Sequence, residues 1–179
     1  AFGEHSREVR LSGEAYFEVT KDEARCFNVI MEGATIEVMG TSFNASCYPG
    51  EGQCWAVLES GKINLRTDHG VAAVNVGECA SYDIASGKVT VETVDLKYFT
   101  SWRYGTFYFY NTPLSEIVQK LGRWYDVNFK FADESLREVC FSGAALRSKP
   151  IDFMLELLSS TQSLKFDIQS DGMIMIYKK

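Results

Sequence analysis

Glu14 and Glu18 flank Tyr16 at two-residue spacing, so on a strand the three side chains share one face. Two carboxylates on one face are the minimal equipment for hydrolysing a glycosidic bond. The same alternation sends Ala15, Phe17 and Val19 to the opposite face, and the simpler reading is a solvated outer face above an apolar inner one. Gly40-Thr41-Ser42 lacks the outer glycine frame of a nucleophile elbow, and no serine carries the spacing of a base-activated nucleophile. The five cysteines, Cys26, Cys47, Cys54, Cys79 and Cys140, contain no Cys-x-x-Cys pair, and His5 and His69 are isolated from them. Ligand spacing for a metal is therefore missing, and no motif asks for a cofactor. Cys47 and Cys54 flank Tyr48-Pro49-Gly50-Glu51-Gly52-Gln53, which reads as a hairpin loop. A turn centred on Pro49 to Gly52 sets the two cysteines opposite each other, either as a disulfide in an oxidising compartment or as two buried thiols. Arg123-Trp124-Tyr125 has the make-up of a sugar-stacking platform, although a large amphipathic cap over a sheet edge uses the same residues. No catalytic constellation emerges, and the chemistry points to a binding module.

The elements that would position these residues fall into two classes. Residues 112–131, TPLSEIVQKLGRWYDVNFKF, shifted by 37 positions, lie on residues 149–168, KPIDFMLELLSSTQSLKFDI, so the C-terminal part is an internal repeat. Leu114, Ile117, Val118 and Leu121 recur at i, i+3, i+4, i+7, as do Ile151, Met154, Leu155 and Leu158, which predicts one amphipathic helix per copy. Thr112 is suited to cap the first with Pro113 at its first position, and the second starts at Pro150 after Ser148 or Lys149. Alternation at Val127, Phe129 and Phe131, and at Leu164, Phe166 and Ile168, predicts a strand after each helix. With leading strands at Thr106 to Tyr110 and Val139 to Ser142 and a closing strand at Met173 to Tyr177, the repeat is a small two-layer βαβ module with right-handed crossovers.

Upstream, from Val9 to Val94, only short alternating runs appear, broken by glycines such as Gly33, Gly40, Gly61, Gly70 and Gly77. They predict ten strands, Val9 to Leu11, Ala15 to Val19, Phe27 to Met31, Thr35 to Met39, Phe43 to Tyr48, Trp55 to Leu58, Ile63 to Leu65, Val71 to Val76, Ala80 to Ile84 and Val89 to Val94. The fold class is thus α+β, an all-β sandwich, jelly roll or solenoid-like domain at residues 1–97 followed by the βαβ-repeat domain at residues 98–179. Aromatic residues gather after the change of period, with Phe107 and Phe109 on the helix side of their strand and Tyr104, Tyr108 and Tyr110 on the other. Bulk properties agree with a protein partner. At 179 residues and 46 % hydrophobic content the chain can bury a core, and a net charge of -6 argues against nucleic acid. No run approaches the roughly 18 apolar residues of a membrane span, and residues 1–10 lack the regions of a signal peptide.

REVRLSGEAYFEV (Arg7 to Val19), VMGTSFNASCYP (Val38 to Pro49), VLESGKI (Val57 to Ile63), VNVGECA (Val74 to Ala80), the W-x-x-G of Trp102 to Gly105, FYNTPL (Phe109 to Leu114) and LGRWYDV (Leu121 to Val127) occur in this order. Together they resemble the periplasmic region of FecR-type anti-sigma factors. The resemblance implies an all-β FecR domain up to about Val94 and a C-terminal domain similar to the short N-terminal signalling domain of secretins and TonB-dependent receptors. It further implies a non-enzymatic role, in which the periplasmic part receives a signal from an outer-membrane TonB-dependent transporter and a cytoplasmic segment holds a sigma factor. The relay expected here has the transporter's signalling domain dock on the C-terminal module, alter the joint near Trp102, and pass the change through the β domain toward the membrane. The cytoplasmic sigma-binding segment and the inner-membrane helix of such proteins are expected to lie outside this chain, and the cysteines depart from the family pattern. Against this stands a carbohydrate-binding or scaffold module of the cell envelope, and more distantly a hydrolase built on Glu14 and Glu18. Small α/β modules leave edge strands open to strand addition, and aromatic anchors favour Tyr108, Tyr110 and Trp124 as partner contacts, with Thr106 to Tyr110 and Met173 to Tyr177 as the candidate edges.

Overall fold

In the computed structural model, residues 7–161 and 164–179 are described. The chain divides into two compact units, residues 1–100 and 101–179, so the expected boundary at 97/98 falls inside a short helix, α1 (Lys97–Thr100). His5 lies outside the described residues.

Among the described residues the first unit has ten strands, β1 (Arg7–Arg10), β2 (Gly13–Glu18), β3 (Phe27–Ile30), β4 (Ala34–Val38), β5 (Ser42–Cys47), β6 (Gln53–Ser60), β7 (Ile63–Thr67), β8 (Gly70–Val74), β9 (Glu78–Asp83) and β10 (Val89–Thr93). They form two five-stranded sheets in the orders β1-β3-β4-β7-β8 and β10-β9-β6-β5-β2. Every pairing is antiparallel except β1 with β3. Alternation explains why the sheets share a core: Val29, Ile36 and Leu65 from one meet Phe43, Ala45, Ala56, Leu58 and Ala80 from the other, all removed from water. Phe17 stacks on Phe43 with ring centroids 5.0 Å apart. Of the three architectures left open by the sequence, two sheets around one core describe a sandwich. Cys47 lies opposite Cys54 in the β5–β6 ladder and the two form a disulfide with Cα atoms 4.3 Å apart.

The second unit runs β11 (Thr106–Pro113), α2 (Leu114–Tyr125), β12 (Phe129–Phe131), a 3-10 turn (Glu134–Glu138), β13 (Cys140–Leu146), α3 (Ile151–Thr161), β14 (Leu164–Ile168) and β15 (Ile174–Lys178). Leu114, Ile117, Val118 and Leu121 of α2 are buried, as are Met154, Leu155 and Leu158 of α3. Asp126, at a positive φ of 54°, ends α2 and turns the chain back so closely that a Cβ on Gly122 would lie 2.9 Å from the Val127 carbonyl. One core joins both helices to Phe107, Phe109, Phe131, Phe141, Leu164 and Ile176.

Three expectations need correction. The leading and trailing strands of each repeat do not share a sheet: β11 pairs with β13 alone, while β12, β15 and β14 form a separate three-stranded sheet in that order. A βαβ crossover within one sheet is therefore absent from each copy, because alternation reports which face of a strand is buried and says nothing of its neighbour. The closing strand, β15, is the middle of its sheet, parallel to β12 and antiparallel to β14, so it offers no open edge. Thr112 does not cap α2. Pro113 stands at that position without a side-chain bond to the helix, and Thr112 remains in β11, where its hydroxyl meets the Tyr110 backbone.

Candidate partner-binding site

β11 reads T-F-Y-F-Y-N-T-P, and its alternation is realised: Phe107 and Phe109 are buried while Tyr108 and Tyr110 are 39 % and 72 % exposed. Inward, the two phenylalanine rings lie 5.4 Å apart, and Trp124 meets Phe107 edge-on at 6.2 Å. Gly143 on β13 makes room for this packing, since a Cβ there would stand 3.3 Å from the Phe109 ring. The register with β13 shifts between Phe109 and Thr112, a bulge in which Asn111 takes a positive φ of 47°. Asparagine tolerates that conformation, and its N–H donates to the Ser142 hydroxyl at 2.8 Å. Among the described residues Tyr110 is the second most exposed of the large apolar and aromatic side chains, after Tyr104 at 79 %. Because among the described residues β11 pairs on one side only, the tyrosines stand beside an open strand edge.

Of the expected contacts, the structure brings Tyr108 and Tyr110 onto one face and places Trp124 on the other, against Phe107. Tyr125 donates its hydroxyl to the Lys149 carbonyl at 2.7 Å, and burial pushes its phenol above the usual tyrosine range. Arg123-Trp124-Tyr125 thus serves the packing of α2 in its Trp and Tyr members. The carboxylates of β2 do not converge. Glu14 accepts from Asn44 Nδ2 at 2.8 Å, Tyr16 donates to Glu59, and Glu18 is exposed. Among the described residues no group of His, Cys, Asp and Glu is arranged to hold a metal ion.

Sequence reasoning missed Asn44. It is fully buried on the outer face of β5, and its amide also donates to the Phe99 carbonyl at 2.7 Å, while Trp55 meets the Phe99 ring edge-on at 5.2 Å. The signal was a lone amide among Phe43, Ala45 and Cys47 in a strand otherwise made of apolar and small residues. Also unforeseen are two grooves of about 540 and 450 Å³, one between α2 and β12 and one between α3 and β14. Their walls are copies of each other under the 37-residue shift, Val118 with Leu155, Gly122 with Ser159, Phe129 with Phe166 and Phe131 with Ile168.

Comparisons with known proteins follow the same division. The family described as "FecR protein" matches residues 1–95, and the one described as "FecR, C-terminal" matches residues 106–175. Two crystal structures of a candidate anti-sigma factor from Parabacteroides distasonis have the same fold: TM-scores are 0.89 and 0.87, identities 23 % and 24 %, and all of this chain aligns with 84 % and 83 % of theirs. A comparison with curated proteins gives no match. Since the first family match alone spans more than half of the chain and the second follows it in order, this protein belongs to the FecR family.

Proposed function

We propose that this chain is the periplasmic, signal-receiving part of a transmembrane anti-sigma factor, which binds the signalling domain of an outer-membrane TonB-dependent transporter and relays the signal to a cytoplasmic sigma factor. Membership of the FecR family supports the reading, as does the description of its structural neighbours as an anti-sigma factor. Among the described residues no helix is long and apolar enough to cross a membrane, and this reading assigns the anchor and the sigma-binding segment to other parts of the protein. The observation that carries the docking site is the open β11 edge, where a bulge presents Tyr110 next to Tyr108. Aromatic side chains that are rigid and half-wet are the usual anchors of such contacts, and an edge strand adds backbone hydrogen bonds.

Isothermal titration against the signalling domain of a TonB-dependent transporter tests this. Tyr110→Ala is expected to weaken binding about tenfold or more and to leave the thermal midpoint unchanged. Unchanged affinity together with a lowered midpoint would assign Tyr110 to internal packing. The competing reading, a carbohydrate-binding or scaffold module, predicts no heat with the signalling domain and reproducible signals on a glycan array.

A further inference from the structure

We infer that the β14 edge is a self-association surface, on which a second copy of this chain adds its own β14 antiparallel to the first. Among the described residues β14 pairs with β15 on one side only and has no strand on its other side. The direction of its backbone groups follows from the hairpin that joins the two strands. Gln169 N–H donates to the Met173 carbonyl, and antiparallel ladders alternate between bonded and non-bonded pairs, so Asp167 and Lys165 turn their backbone groups toward Met175 and Tyr177. Those of Leu164, Phe166 and Ile168 face the open side.

A second copy is the occupant because the sequence L-K-F-D-I complements itself about its centre. With Phe166 opposite Phe166 of the second copy, the open-side pattern makes that position a doubly bonded pair on a two-fold axis, as an isologous contact requires. In this register Lys165 stands opposite Asp167 of the second copy and Asp167 opposite Lys165, two opposite-charge pairs on the exposed face. Asp167 already accepts from Gln169 Nε2 through Oδ2, which leaves Oδ1 to meet the lysine. On the helix face Leu164 meets Ile168, which is 55 % exposed in the single chain. The groove of about 450 Å³ between α3 and β14 has Leu155, Phe166 and Ile168 in its wall beside the polar Asp152, Glu156, Ser159, Ser160 and Lys179, and its apolar side lies next to the second Phe166 ring. The corresponding edge at β12 is unsuited to this, since F-K-F centred on itself sets Lys130 against Lys130, and a lysine on an edge is a common guard against pairing. The surface is separate from the β11 site, so either can fail without the other.

Sedimentation velocity across two decades of concentration is the test, on the whole chain with its free thiols alkylated. A monomer–dimer equilibrium is expected. Lys165→Asp and Asp167→Lys, each on an exposed position, should weaken the dimer about tenfold, whereas the double exchange should restore it because both cross-strand pairs are re-formed with reversed sign. Hydrogen exchange should slow with concentration at the amides of Phe166 and Ile168 and stay constant at Lys130. A monomer at every concentration overturns the inference. So does a dimer indifferent to Lys165→Asp, a dimer lost on Tyr110→Ala, or a double exchange that fails to restore association. Protection of the Phe166 amide by a transporter signalling domain but never by concentration would give this edge to another partner and overturn it as well.

Discussion

Asn44 shows how much a single amide can hold in place. Its Nδ2 group donates both to Glu14 and to the Phe99 carbonyl from a position closed to water. Asn44→Ala leaves the Phe99 carbonyl without its partner, and urea unfolding should report a loss of about 1–3 kcal/mol. Asn44→Asp keeps the shape but replaces the donor with an acceptor facing two oxygens. Its loss should be larger at neutral pH and should shrink as pH is lowered into the carboxylate range, where a protonated carboxyl donates again. Cys79 gives a second residue-scale test. Burial pushes its thiol up to about 11 from an ordinary value of 9.0, so the folded state disfavours the thiolate. The stability this confers is complete below pH 9.0 and is lost as pH rises from 9.0 toward 11, where the unfolded chain ionises first. Native alkylation at mildly alkaline pH should accordingly modify the half-exposed Cys26 and Cys140 well before Cys79. At this scale the sequence was readable where one side chain decides the matter: strand parity put Tyr108 and Tyr110 outside. It was not readable where backbone geometry decides, as at Asn111, whose positive φ marks the register shift against β13.

Helices and strands announce themselves by period, and their partners do not. The ten strands described in the first unit lie within a few residues of their expected positions, because alternation and turn residues at their ends mark them; β10 is the weakest case, with Val89 half-buried and Val91 exposed. The 37-residue repeat is real in its stripes. Leu121→Ala and Leu158→Ala remove fully buried side chains from equivalent positions, so each should cost about 2–5 kcal/mol. Gln119→Ala, from the groove side of α2, should shift the urea midpoint far less. Near-equal midpoints for the three would contradict the buried stripe. The pairing of β11 with β13, and of β12 and β14 with β15, could not be read from alternation, since each strand would show the same pattern in either arrangement. The two copies also differ in their joints. β11 runs into α2 without a loop, whereas four residues separate β13 from α3, so equivalent helices are entered from different chain paths.

For the whole molecule, the expectation is two separately cooperative bodies. Limited proteolysis should leave resistant fragments corresponding to residues 1–100 and 101–179, seen by intact-mass analysis. Loss of both halves together, with no fragment near residues 101–179, would show a single cooperative unit. The attachment of α1 adds a mechanical consequence. The chain leaves the sandwich through β10, an edge strand, and then α1, which is fastened by the Asn44 amide and the Trp55 ring at Phe99. A tug transmitted through residue 101 would first load that clasp. Once it gives, the pull reaches the bond from Val94 N–H to the Gly77 carbonyl and then Thr93, which faces Glu78 at the open end of the β9–β10 hairpin. Rungs at such an end break in succession, like a zipper, instead of sharing the load as they do when strands are sheared along their length. The first unit therefore yields to small forces at its exit while its central strands stay paired, and tension is converted into the release of a short, defined length of chain.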